Sequence, residues 1–309
     1  SVSVNGDKGY VLDINEKSTK PIGFTNHPIP ILSEKDDSII YEMHIRDFTI
    51  DESSGVINDL RGTYLGTVEE NTIYKNPYNG KCVKTGIDHL CELGITHVHL
   101  MPIFDFGSVD ERFPGSNNRN WGYDPKNFNV PEGSYCSNPY NPVTRILELR
   151  QMIMKFHERG IRVVMDMVYN HMMSTVNMDN IVPGYYFRSD YLGRYTNGSG
   201  CGNELASERS MVRKMMVDSV KYWAEEYHID GFRFDLMALH DITTMKEIRN
   251  TLNEVDDSIL IYGEGWTGGG TPLPSEEQAL KVNTIKYGDL QIAAFSDDMR
   301  DGIKGHVFE

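Results

Sequence analysis

Residues 162–171 read RVVMDMVYNH. An apolar run encloses one carboxylate, Asp166, and leads directly into Asn170 and His171. In an extended strand residues two apart share a face, so Asp166 and Val168 point one way and Met165 and Met167 the other. Two later stretches repeat the design. Residues 230–240 read DGFRFDLMALH, with Arg233 and Asp235 on one face. Residues 259–266 read ILIYGEGW, where Glu264 stands between two glycines that let a ligand come close, beside Trp266. Each short apolar run therefore closes on an acid.

On either side of these runs the chain alternates between short apolar segments and longer amphipathic ones. Strands are expected over 39–45, 97–101, 162–168, 231–235, 260–264 and 291–295. Helices are expected over 86–93, 144–159, 210–227, 241–252 and 276–282. In the second of these Ile146, Leu149, Ile153 and Phe156 recur at helical spacing, and Gly160 ends it. Strands that are apolar throughout imply a parallel sheet covered on both faces. The fourth and fifth strands start 29 residues apart (231 and 260), close to the ~31 of a (β/α)8 barrel with ~250 residues. An open doubly wound sheet is the rival, but no GxGxxG follows the first strand. Barrel active sites sit at the carboxyl ends of the strands, and Asp166, Asp235 and Glu264 would converge there. The expected fold is thus an α/β (β/α)8 TIM barrel with about six of its eight units present. Residues 1–36, rich in Gly, Pro, Ser and Lys, read as a linker or the tail of an upstream β-sandwich or carbohydrate-binding domain laid on the surface. Residues 37–309 read as the N-terminal part of the barrel.

Composition narrows the partners. The chain has 309 residues and a formal net charge of −15. That balance argues against nucleic acid, which needs clustered Lys and Arg, and against anionic membrane surfaces. No stretch approaches the ~20 apolar residues of a membrane helix. Cys82, Cys91, Cys136 and Cys201 form no CxxC pair and read as buried thiols. The polar opening is not a signal peptide. The 15 methionines suit a reducing compartment, so the cytoplasm is favoured while secretion of a longer protein stays open.

The acids suggest glycoside hydrolysis. Arg233, two residues before Asp235, is expected to lower that carboxyl's pKa and hold it ionised. Glu264 sits in a drier, aromatic setting suited to a general acid. Retaining hydrolysis needs two carboxyl groups ~5–5.5 Å apart, and neighbouring strands ~4.8 Å apart allow it. His97 and His99 share a face and could hold zinc, but no further His or Cys supports that, so packing or substrate contact is expected. Asn203 and Glu204, in a loop over the cleft, are candidate sugar contacts. Tyr185, Tyr186, Phe187, Tyr191 and Tyr195 fall in one loop and serve either stacking on sugars or packing.

DMVYNH, GFRFDLMAL and GEGW resemble three short regions of the α-amylase-type glycoside hydrolases. RNWGYDPKNFNVPEGSY, residues 119–135, is similar to the YNWGYDP signature of the type I pullulanases, which debranch α-1,6 linkages. The resemblance runs from about Tyr41 to the last residue. It implies Asp235 as nucleophile, Glu264 as general acid/base, and Arg233 orienting the nucleophile. It implies His171 hydrogen-bonding the sugar, Tyr123 stacking on it, Asp166 bracing the site and Trp266 lining the cleft. The implied activity is retaining hydrolysis of α-1,6 branch linkages in pullulan, amylopectin, glycogen or limit dextrins. An α-1,4-acting amylase, a branching enzyme or a non-catalytic glucan-binding protein are the alternatives. No cofactor is expected; calcium at Asn170 is conceivable, a structural hydrogen bond of that side chain being the expectation.

Two departures matter. Arg119 stands where the signature has Tyr. The family's third carboxylate, in a His-Asp pair after the seventh strand, has no counterpart after Glu264. The one His-Asp pair is His240-Asp241, just past the fourth strand, where His240 is a candidate substrate contact. The expectation is therefore a fragment of a longer enzyme, inactive alone and prone to associate through its open barrel edges.

Overall fold

The computed structural model describes residues 1–113, 119–286 and 290–306. The chain alternates strands and helices in the order β1 (Ile40–Met43), α1 (Ile45–Thr49), β2 (Ile73–Lys75), β3 (Cys82–Lys84), α2 (Gly86–Leu93), β4 (His97–Leu100), β5 (Phe104–Phe106), β6 (Pro125–Pro131) and α3 (Pro142–Glu158). It continues through β7 (Arg162–Met167), α4 (Val176–Asp179), α5 (Ser210–Tyr227), β8 (Gly231–Phe234), α6 (Ile242–Val255), β9 (Leu260–Gly263), α7 (Lys281–Lys286), β10 (Ala293–Ala294) and α8 (Asp297–Lys304).

Six strands form one sheet in the order β1-β4-β7-β8-β9-β10, and every pairing is parallel. Each crossover adds the next strand to the same edge. A doubly wound sheet would reverse direction partway, so this is the curled sheet of an incomplete (β/α)8 barrel. The register sets Asp166 beside Arg233 and Met167 beside Phe234, and Phe234 beside Gly263. Asp235 and Glu264 therefore leave the sheet at one height, just above Asp166.

The helices form where the apolar spacing demands. Asn141 caps α3 by accepting a hydrogen bond from the Val143 N–H, with Pro142 in the first turn. Ile146, Leu149, Ile153 and Phe156 are all buried. Asp241 caps α6 through the Thr244 N–H. Trp223 of α5 is fully buried and donates to the Phe128 carbonyl (3.0 Å).

Some boundaries differ from expectation. The first strand ends at Met43 because His44 Nδ1 accepts from the Asp47 N–H (3.2 Å) and starts α1. The helix expected over 276–282 forms later, as α7, and the strand over 291–295 shortens to β10. Two antiparallel hairpins, β2–β3 and β5–β6, lie outside the main sheet and were not expected. Residues 1–36 hold short 3₁₀ turns and lie on the barrel's outside as a strap. Val2, Thr19 and Phe24 are buried. Arg150 donates to the carbonyls of Ile14 and Thr19, and Arg162 to that of Pro30. Among the described residues no helix is long and apolar enough to cross a membrane.

Candidate active site

The carboxyl ends of β7, β8 and β9 meet at Arg233. Its Nη1 lies 2.9 and 3.0 Å from the two Asp166 oxygens and 2.8 Å from Asp235 Oδ1, and its Nη2 lies 2.6 Å from Glu264 Oε1. One guanidinium thus spans three acids on three adjacent strands. Asp166 has no exposed surface and also accepts from the Tyr123 hydroxyl (2.8 Å), with His99 Nε2 3.3 Å away. Asn170 Nδ2 donates to Asp235 Oδ2 (2.8 Å). Leu236 adopts the left-handed backbone conformation (φ 41°), uncommon for a branched residue. That turn aims its N–H at Glu264 Oε2 (3.0 Å).

These groups face a cavity of about 650 Å³ whose lining includes Tyr123, His171, Arg233, Asp235 and Glu264. His171 is held with Nε2 2.9 Å from the Tyr123 carbonyl and Nδ1 2.6 Å from Asn170 Oδ1. Its pKa is lowered by burial. The Tyr123 hydroxyl is raised by burial and by Asp166. Arg233 is held above its usual value despite burial, chiefly by Asp166 and Asp235.

Asp235 departs from the sequence expectation. Burial, reinforced by Asp166, raises its carboxyl to about 6, against the downward pull of Arg233. The guanidinium is shared among three acids, so it cannot favour one of them as a dedicated partner would. The glycines around Glu264 also differ in role. A Cβ on Gly263 would stand 2.6 Å from the Phe234 carbonyl oxygen, and one on Gly265 2.6 Å from Lys281 N. They admit the protein's own backbone, not a ligand.

Three further candidates lie elsewhere. Asn203 is buried and bridges loops, accepting from Met172 N–H (3.1 Å) and donating to Met172 C=O (2.8 Å). His240 is fully buried, its ring edge on Phe234, with neither nitrogen partnered among the described residues; burial and Arg188 lower its pKa to about 3. Trp266 is not in the cavity's lining; its ring lies 6.3 Å from that of Phe295. Glu204 is buried against Thr196 and Thr271. Of the aromatic loop, Phe187 is buried, Tyr185 and Tyr186 pack on the core, and Tyr191 is exposed.

Sequence reasoning missed His44, Asp47, Ser199 and Leu236, which all line the cavity, while Cys201, in the loop expected over the cleft, lines it too. The strand-end rule applied to the first strand, where MHIRD follows the apolar run, would have found the first two.

Two acidic groupings are tight enough for a metal: Glu42, His99 and Asp166, and Asp105, Glu111 and Glu132. In the first, Asp166 is committed to Arg233. In the second, the Arg145 guanidinium supplies the positive charge. Asn170 uses its amide on Asp235 and His171.

A model of the α-amylase catalytic domain matches residues 80–182. That stretch, with the parallel barrel sheet and its three strand-end acids, is similar to the catalytic domain of the α-amylase-type glycoside hydrolases. Over the whole chain the similarity is to pullulanases. The pullulanase of Bacillus subtilis is 44% identical over 311 residues, covering 100% of this chain and 41% of that protein. Isoamylase 3 of Oryza sativa is 38% identical over 91% of this chain and 36% of its own length. The crystal structure of the Paenibacillus barengoltzii pullulanase in complex with maltohexaose and α-cyclodextrin superposes with a TM-score of 0.92. That match is at 47% identity over 99% of this chain and 46% of that one. The chain thus spans less than half the length of these relatives.

Proposed function

We propose that this chain carries the catalytic acids of a debranching hydrolase that cleaves α-1,6-glucosidic linkages in α-glucans with retention of anomeric configuration. The observation that carries the reading is the sharing of Arg233 by Asp235 and Glu264 at one end of the sheet. Two carboxyl groups held by one guanidinium suit the close pair that double displacement requires. The likeness to pullulanases, one solved with maltohexaose and α-cyclodextrin, supports an α-glucan as substrate.

In this reading the Asp235 carboxylate attacks the anomeric carbon while the bond from that carbon to the glycosidic oxygen breaks. Protonated Glu264 gives its proton to the departing oxygen. Water then attacks the glycosyl–Asp235 ester, with Glu264 taking the proton back. Protonating Glu264 ends its ion pair with Arg233, and the glycosidic oxygen takes that place. Tyr123 and His171 hold the sugar ring, and Asp166 braces Arg233 from below. The pairs of Arg233 with Asp166 and Asp235 are in place before the reaction starts, which lowers the barrier.

The test is to incubate the full protein with pullulan and follow the first product by NMR. Maltotriose released as the α-anomer supports the reading. An initial β-anomer overturns double displacement at Asp235. Cleavage confined to α-1,4 linkages, or new branch points, overturns debranching in favour of an amylase or a branching enzyme.

A further inference from the structure

Arg119 and Trp121 stand at the mouth of the catalytic cavity, Arg119 with 59% of its side chain exposed and Trp121 55% exposed. Both have defined neighbours. Arg119 Nη2 lies 2.8 Å from Asp47 Oδ2, and its Cζ lies 5.7 Å from the centre of the Trp121 ring system. Asp47 is fixed in turn by Arg46 Nη1 (3.0 Å) and by its own N–H on His44 Nδ1 (3.2 Å). His44 Nε2 donates to the Asn120 carbonyl (2.9 Å), and the Asn120 side chain accepts from the Gly122 N–H and donates to Asp124 (both 2.8 Å). His44, at the carboxyl end of the first strand, therefore holds the backbone just before an exposed indole, and the Asn120 side chain holds it just after. An ion pair as exposed as Arg119–Asp47 contributes little to folding.

The chemistry suits a neutral sugar chain. An indole face takes the C–H face of a pyranose ring. A guanidinium presents N–H donors in a fixed fork, and beside the Asp47 carboxylate it offers donors and an acceptor to adjacent hydroxyls. Trp121 keeps 55% of its surface exposed for such a ring even with the guanidinium beside it. We propose that Arg119, anchored by Asp47 and laid against Trp121, is a specificity-determining residue that binds an α-glucan residue at the mouth of the catalytic cavity, beside the position held by the three acids. This rests on the glucan reading above. It adds a site whose side chains touch none of the three acids, and the contacts form before and during the reaction alike, so they act on binding more than on turnover.

The experiment uses the full protein and its Arg119→Ala, Arg119→Lys and Asp47→Asn variants with pullulan. Arg119→Ala should raise KM about fivefold or more and change kcat by less than about twofold. Arg119→Lys, which keeps the charge and loses the fork, should recover part of the loss, and Asp47→Asn should move KM in the same direction. An unaltered KM, or a loss confined to kcat, overturns the proposal. Calorimetry with maltotriose in an Asp235→Asn background separates the two readings. Weaker binding on adding Arg119→Ala supports the proposal, and equal binding overturns it while leaving the catalytic reading intact. Full turnover by Asp235→Asn alone would remove the catalytic reading without touching the binding result, and no maltotriose binding at all would remove both.

Discussion

Arg233 contacts Asp166, Asp235 and Glu264 at once, and the balance among them decides what Asp235 can do. The positions of these acids were legible from sequence, because a carboxylate closing an apolar strand has few other uses. Their protonation was not. A local rule, an Arg two residues away, predicted a lowered Asp235; burial and the acid across the sheet outweigh it and raise the carboxyl to about 6. If Asp235 is the nucleophile, kcat/KM should fall as the pH drops below about 6, because only the ionised form attacks. Asp166→Asn removes a charge that raises Asp235, so the acid limb of the profile should move to lower pH even as the rate falls. A pH–rate profile of the full protein checks this; a limb that stays in place or moves upward would mean that Asp166 does not act electrostatically on Asp235. Asp235→Asn should lower kcat by roughly three or more powers of ten, read from initial rates on pullulan.

At the scale of elements, periodicity was a good guide where packing is local. α3 follows its apolar stripe, and α2 and α5 begin and end at the expected residues. The β5–β6 hairpin was hidden because PKNFNVP carries two prolines and alternates weakly, and its partner lies across a long loop. The strap was read as a surface linker, yet a chain of histidines docks it. His27 Nδ1 lies 2.5 Å from the Phe24 carbonyl and Nε2 2.7 Å from His157 Nδ1, while His157 Nε2 lies 2.8 Å from Asp230. Phe24 stacks on His228 at 4.6 Å, and the Arg150 guanidinium lies over the rings of Phe24 and Tyr227. Burial lowers the pKa of His27, with the adjacent His157 adding to it and Phe24, Asp230 and Glu158 opposing. A lowered imidazole binds fewer protons docked than free, so docking is strongest above the ordinary imidazole value of about 6.5 and weakens as the pH falls through it. Limited proteolysis within residues 1–36 should therefore be faster at acid pH than at neutral pH. His27→Gln should flatten that difference; a native protein cut equally at both would show that the strap is not held this way.

At the scale of the whole molecule, barrel class followed from six apolar strands and their acids, but what locks the strap, the β5–β6 hairpin and α3 together did not. Those parts converge on Arg145, which is fully buried. It grips Glu111 with both nitrogens (3.0 and 2.8 Å) and reaches Asp105 at 3.5 Å. Asn5 N–H donates to the same Glu111 carboxylate (2.5 Å), and Glu132 accepts from the Phe106 and Ser134 N–H groups (3.1 and 2.8 Å). No spacing rule links residues 5, 105, 111, 132 and 145, which is why sequence reading passed over them. One cation faces three buried acids, and burial, with the neighbouring acids, raises the carboxyls of Asp105 and Glu132. Raised carboxyls bind more protons folded than unfolded, so this cluster loses stability as the pH climbs from the ordinary carboxylate range toward the raised values. Arg145→Leu leaves the acids without a counter-charge and should cost about 3–5 kcal/mol. Protonation relieves the repulsion, so the fall in Tm relative to the natural protein should be larger at mildly alkaline pH than at mildly acid pH. Thermal unfolding at the two values measures it. A deficit independent of pH would mean that Arg145 acts by filling space and holding backbone carbonyls, among them those of Pro131 and Pro139, and not by offsetting buried negative charge.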